Sequence, residues 1–185
     1  MFRNVLFIVL FFPLSLTLST TCICTTVECP ATGQNNITMG NGYANIDYIY
    51  SYHSNQPVVI SAIGTLTPDA LDHGTETTSC TQQYARMLED DGEKNCDAGH
   101  ILANRLGGYG NIPTNIFPQN AGSNRGVYAQ FEGNIYDYIQ NNNINATLEW
   151  YFLYKSTAYT MPYSVNYSAV FEDGYSINSL FQNIF

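Results

Sequence analysis

Basic residues are scarce in this chain: 6 Lys and Arg stand against 15 Asp and Glu, for a formal net charge of −9. That balance excludes a broad cationic face that would hold nucleic acid by charge alone. Histidine is scarcer still, with three in the chain. His53 and His73 have no partner at metal-ligand spacing, which excludes a histidine-rich metal centre and leaves them as packing or solvent residues. Of the five cysteines, Cys22, Cys24 and Cys29 sit close together but lack a fourth ligand at zinc-site spacing. No long apolar run follows residue 18, so no membrane-spanning helix is expected in the body of the chain.

The one apolar run that is present, Val5 to Leu18, follows Arg3, is broken only by Pro13 and Ser15, and leads into Ser19, Thr20 and Thr21. It is shorter than the about 20 residues a transmembrane helix needs and reads as a secretory signal peptide over residues 1–21. Secretion is therefore expected, with no membrane association after cleavage. In an exported chain the cysteines suggest disulfides. Cys80 and Cys96 bracket a charged, loop-like segment and form the expected pair. The sequons at Asn36, Asn145 and Asn166 are candidate glycosylation sites on an extracellular surface.

Residues 22–42 are polar and read as an irregular N-terminal arm, leaving 43–185 as one domain. Ile46, Tyr48, Tyr50 and Tyr52 alternate, and Val58-Val59-Ile60 is β-branched, so two strands are expected around a turn at Asn55-Gln56-Pro57. Gln82–Leu88 predicts a turn or two of helix. Ser123 is a plausible N-cap for the principal helix, about Asn124 to Gln140, with Val127, Phe131, Ile135 and Ile139 as its buried stripe. Alternation resumes at Leu148, Trp150, Phe152 and Tyr154, which predicts closing strands. Tyrosine is abundant, at 15, and its alternation in strands favours sheet packing over base stacking. The class is α+β: a mostly antiparallel sheet with one principal helix.

After the signal, four of the five remaining cations (Arg86, Lys94, Arg105 and Arg125) lie between residues 86 and 125. The same region carries Asp97-Ala-Gly-His100, then Asn115-Ile-Phe-Pro-Gln-Asn120, then Asn124-Arg-Gly and Glu132. A histidine with an ordinary pKa of about 6.5 can deprotonate water near neutral pH. A divalent ion can neutralise a phosphate and stabilise a departing oxygen, and Mg²⁺ is often held by one or two protein groups plus water. Asn124 opens the expected helix, where free N–H groups favour phosphate. Eight residues at 100° each return Glu132 to about 80° from Asn124, so both can border one cleft. Asp97 reads as a residue orienting the loop or as a plain turn residue.

This ordered set resembles the DNA/RNA non-specific endonuclease family, with its ββα-metal (His-Me finger) active site, and is most similar to the branch found in bacterial secreted toxins. The likeness spans about residues 40–183. It implies a Mg²⁺- or Mn²⁺-dependent hydrolase of DNA and/or RNA with little sequence preference. It implies His100 as general base, Asn124 as the metal ligand, Glu132 as the carboxylate holding the metal's waters, and Asn115 as a polar residue supporting catalysis. Arg125 and Arg105 are candidates for substrate phosphate, with Arg125 grouped also among the catalytic residues. Two positions depart from the family pattern: Ala98 and Tyr136 stand where well-studied members often carry Arg. Together with the acid excess they motivate the alternative, a weak or inactive secreted module that binds nucleic acid or protein on the same fold.

Overall fold

The structure, a computed structural model, describes residues 29–88 and 96–183. The expected signal peptide, Cys22 and Cys24 lie outside the described residues. Among the described residues, eight strands form two antiparallel sheets. The large sheet takes β1 (Gly33–Met39), β2 (Ala44–His53), β3 (Gln56–Leu66), β6 (Ala146–Leu153), β7 (Ser164–Phe171) and β8 (Ser176–Gln182), in that spatial order. The small sheet pairs β4 (Asp97–His100) with β5 (Ile116–Gln119), His100 opposite Ile116. Helix α1 (Ser79–Met87) precedes β4, and a longer helical run follows β5. This is the expected mostly antiparallel α+β arrangement with one main helix. No helix among the described residues is long and apolar enough to cross a membrane.

Alternation sets which face is buried, because successive strand side chains point to opposite sides. Ile46, Tyr48 and Tyr50 of β2 and Leu148, Trp150 and Phe152 of β6 all face the core, as expected. Tyr52 does not. It lies near the end of β2, opposite Pro57, and is exposed. The β2–β3 turn falls at Ser54-Asn55 rather than at 55–57, since Gln56 and Pro57 already belong to β3. Both turn residues have positive φ, 46° and 64°, as a two-residue hairpin requires. The stretch read as an irregular arm also supplies an element: residues 33–39 pair with β2 along its length. Their polar side chains hid a strand that faces solvent on one side.

The main helix begins earlier than expected and is not uniform. Asn120, not Ser123, is the cap, its side chain accepting from the Ser123 N–H at 3.0 Å. A short turn α2 (Ala121–Ser123) leads into a π-helical turn over Asn124–Tyr128, broken at Gly126, and then into α3 (Ala129–Asn142). A π turn holds one residue more than an α turn, which shifts the phase of everything before it. Phe131, Ile135 and Ile139 keep the buried stripe, while Val127 is exposed and Tyr128 is buried in its place. The stripe packs on the large sheet, with Phe131 edge-on to Tyr167 and Phe181 at centroid distances of 5.0 and 5.3 Å. Asn143, left-handed at φ 51°, closes the helix.

A second apolar cluster beneath α1 includes Val58, Tyr84, Leu88, Cys96 and Ile116. Cys96 is a buried thiol in it, whereas Cys29 and Cys80 are disulfide-bonded. The expected Cys80–Cys96 pair is therefore corrected: Cys96 points into the apolar cluster.

Candidate active site

The small sheet and the helix after it build the site. β4 has one strand neighbour, and α1 satisfies its other edge with a side chain. Gln82 Nε2 donates to the Cys96 carbonyl at 2.6 Å, and its Oε1 accepts from the Ala98 N–H at 3.0 Å. After His100 the chain bends, burying Ile101 and Leu102 completely. Asn115 fixes that bend. Its Oδ1 accepts from Tyr48 O–H and Leu102 N–H, both at 2.8 Å, and its Nδ2 donates to the Leu102 and Tyr109 carbonyls at 2.9 and 3.2 Å. With every polar valence used and no exposed surface, Asn115 supports the loop from behind. It does not line the cavity that His100 borders; it holds the bend that carries His100 there.

His100 lines an open cavity of about 310 Å³ together with Glu76, Ala103, Asn104, Arg105, Asn124, Ala129 and Glu132. Its Nε2 lies 3.0 Å from the Thr75 carbonyl. A carbonyl only accepts, so in the neutral ring Nε2 carries the proton and Nδ1 keeps its lone pair. Burial lowers the His100 pKa, with the Thr75 carbonyl and the Glu76 charge pulling the other way. The ring is thus held as a neutral base of fixed tautomer. Gly110 makes room for it, because a Cβ there would lie 2.5 Å from Nε2.

Across the cavity, Asn124 donates from Nδ2 to Asp97 Oδ2 at 3.0 Å. Its acceptor oxygen is the end left for the cavity. Burial raises the Asp97 carboxyl, but hydrogen bonds from Arg125 and Asn124 outweigh it and hold the pKa below the ordinary carboxylate range. Glu132, buried one turn into α3, has its Oε1 without a hydrogen-bond partner among the described residues. Burial pushes this carboxyl well above its usual range, and Arg105 opposes the push. A buried carboxylate with an unsatisfied oxygen is stabilised by a nearby cation. No group of three His, Cys, Asp or Glu side chains gathers among the described residues, at this cavity or away from it, so an ion here would rest on few protein groups plus water. The amide oxygen of Asn124 and the carboxylate of Glu132 are hard donors, and this set fits Mg²⁺ or Mn²⁺.

Of the two arginines, Arg105 lines the cavity and Arg125 does not. Arg125 is 73% exposed and donates to Asp97 from Nε and Nη2, at 2.8 and 2.6 Å. His53 is a packing histidine, its Nδ1–H on the Tyr159 carbonyl at 2.8 Å and its ring edge-on to Tyr154. Thr75 and Glu76 were invisible as site residues, since a backbone carbonyl and a lone surface acid carry no motif.

Residues 35–166, a span that contains the cavity, match a family model described as DNA/RNA non-specific endonuclease. A probable deoxyribonuclease, RhsA of Dickeya dadantii (strain 3937), is 36% identical over 125 residues, which is 68% of this chain and 8% of that protein. The chain thus spans under a tenth of the length of that curated relative. Among solved structures the fold is similar to metal-free NucA from Streptococcus agalactiae. The two share 15% identity and a TM-score of 0.52, covering 87% of this chain and 78% of that one. A magnesium-bound form of NucA aligns with a TM-score of 0.50. The zinc-bound Sda1 nuclease aligns at 14% identity and a TM-score of 0.51, over 82% of this chain and 90% of that one. With a family match over most of its length and a two-strand-and-helix site of this geometry, the chain belongs to the DNA/RNA non-specific endonuclease family.

Proposed function

We propose that the chain is a secreted endonuclease that hydrolyses phosphodiester bonds of DNA and/or RNA with little sequence preference. The observation that carries this reading is His100: a neutral imidazole with Nε2–H tied to the Thr75 carbonyl and Nδ1 available beside a cavity lined by Asn124 and Glu132. His100 Nδ1 takes the proton of the attacking water. Asn124 would hold a single Mg²⁺ or Mn²⁺ by its amide oxygen, with Glu132 reached through water. When bound, that ion neutralises the phosphate and stabilises the leaving oxygen. Arg105 adds a fixed positive charge beside the same cavity. Arg125, closed on Asp97, serves the site by its bond to that carboxylate.

Export fits the apolar N-terminal run and the disulfide-bonded Cys29 and Cys80. The sequon residues Asn36, Asn145 and Asn166 are all exposed and are offered as its glycosylation sites.

Plasmid and RNA digestion by the secreted protein, with Mg²⁺ and with EDTA, tests the reading. Cleavage should need the metal, and His100→Ala should lower it by about 10²- to 10⁴-fold with an unchanged circular dichroism spectrum. A folded His100→Ala protein that still cleaves at the wild-type rate would refute the base.

A further inference from the structure

Arg105 is the one permanent cation among the residues lining the cavity, in a chain with few cations to spare. It is held in an unusual way. Its guanidinium carbon lies 4.1 Å from the centroid of the Tyr136 ring. The Tyr136 O–H in turn donates to Asp72 Oδ2 at 2.6 Å and accepts from Gln140 Nε2 at 3.0 Å. Asp72 closes the circuit, its backbone N–H donating to the Arg105 carbonyl at 3.0 Å.

Asp72 has φ 62°, a left-handed conformation that favours glycine and costs a side-chain-bearing residue some strain. A glycine there would keep the N–H bond to Arg105 and remove the strain, but would lose the bond to Tyr136. The strained aspartate therefore ties three segments together: its own loop, the turn carrying Arg105, and α3.

The chemistry of the platform differs from that under Arg125. Asp97 neutralises Arg125 with two short bonds, whereas among the described residues Arg105 has no ion pair within 4.0 Å. An aromatic face attracts a guanidinium through its quadrupole. It fixes the group in place and leaves the charge for an incoming anion.

We propose that Tyr136 and Asp72 are positioning residues that hold Arg105 as the cavity's contact for a backbone phosphate of the nucleic acid. This rests on the reading of the cavity as a phosphodiester site. The ring supplies the surface, and the hydroxyl and Asp72 fix the ring's tilt and the height of the Arg105 turn.

Binding of a fluorescein-labelled oligonucleotide duplex in EDTA, followed by anisotropy across a salt series, separates this from cleavage. Arg105→Ala should weaken binding about tenfold and make the slope of log K against log salt shallower by about one, as loss of one phosphate contact does. Tyr136→Leu should reproduce most of both changes, although Arg105 is still present. Tyr136→Phe and Asp72→Gly should each give a smaller version of both, about two- to fivefold in affinity, because the ring surface remains. In Mg²⁺ turnover the same variants should raise KM more than they lower kcat. A merely structural role would lower stability without moving the salt slope, and such a result overturns the proposal. If Arg105→Ala weakens binding and folded Tyr136→Phe and Asp72→Gly do not, the platform is refuted and the phosphate site stands. If Arg105→Ala itself leaves affinity and slope unchanged, the phosphate contact fails as well. The hydroxyl and loop variants retain the buried ring, so the test survives a poorly folded Tyr136→Leu.

Discussion

Asn124 and Asp97 are joined by one hydrogen bond of 3.0 Å between the amide nitrogen and a carboxylate oxygen. Because the acceptor is a carboxylate, the amide has one orientation: nitrogen toward β4, oxygen toward the cavity. Arg125 donates to both oxygens of the same carboxylate, sharing Oδ2 with Asn124, and keeps it ionised. Two neighbours in sequence thus divide one aspartate between them.

Asp97→Ala releases that orientation without touching the cavity. Supporting residues of this kind typically contribute 10- to 100-fold in metal affinity, so the Mg²⁺ concentration giving half-maximal cleavage should rise by about tenfold or more. Mn²⁺ binding measured calorimetrically should weaken in parallel. Asp97→Asn, which still accepts a hydrogen bond, should fall between. Unchanged Mn²⁺ affinity in a folded Asp97→Ala protein would show that Asn124 needs no such support.

The pH profile follows from His100. Its folded pKa is lowered from 6.5 by burial, so the neutral ring persists below that value. The acid limb of kcat/KM at saturating Mg²⁺ should therefore bend below pH 6.5. Linkage has the same sign: the unfolded chain binds a proton at higher pH than the folded one. The stability owed to this histidine is complete above about pH 6.5 and lost as pH falls through the folded value. Titration of the His100 ring by NMR, checked against His100→Gln, reads the value directly. An inflection above 6.5 contradicts the burial argument.

Asn115 should be among the most costly polar residues to remove. Asn115→Ala leaves the Tyr48 hydroxyl, the Leu102 N–H and two carbonyls without their partner in a fully buried place. At about 1–3 kcal/mol for each group left unsatisfied, and with some relaxation, a loss of about 3 kcal/mol or more is expected. Urea unfolding measures it. A loss below about 1 kcal/mol would mean that the bend after His100 is held by other contacts.

Much of this was legible from residue order. The alternation through Ile46, Tyr48 and Tyr50 and through Leu148, Trp150 and Phe152 marked core strands, because burial on one face leaves period-two spacing. His100, Asn124 and Glu132 stood out by type and interval, and the fold brings all three to one cavity. The failures have physical causes. β1 is edge-like and polar on its open side, so it carried little hydrophobic pattern. Val127 fitted a four-residue spacing that holds only for an unbroken α-helix. The Cys80–Cys96 pair followed proximity in sequence, which says nothing of side-chain direction. Arg105 and Arg125 looked equivalent on paper, and only the contacts with Tyr136 and Asp97 tell them apart.

The π turn between Asn124 and Tyr128 has an evolutionary consequence. It holds one residue more than an α turn, and the excess is taken up around Gly126, where the backbone leaves helical geometry. Loss of a single codon in that stretch would let the helix close into ordinary α geometry while Phe131, Ile135 and Ile139 kept their packing. Everything before the deletion would swing by about 100° around the axis, carrying Asn124 out of the cavity. A folded, disarmed descendant thus lies one in-frame deletion away.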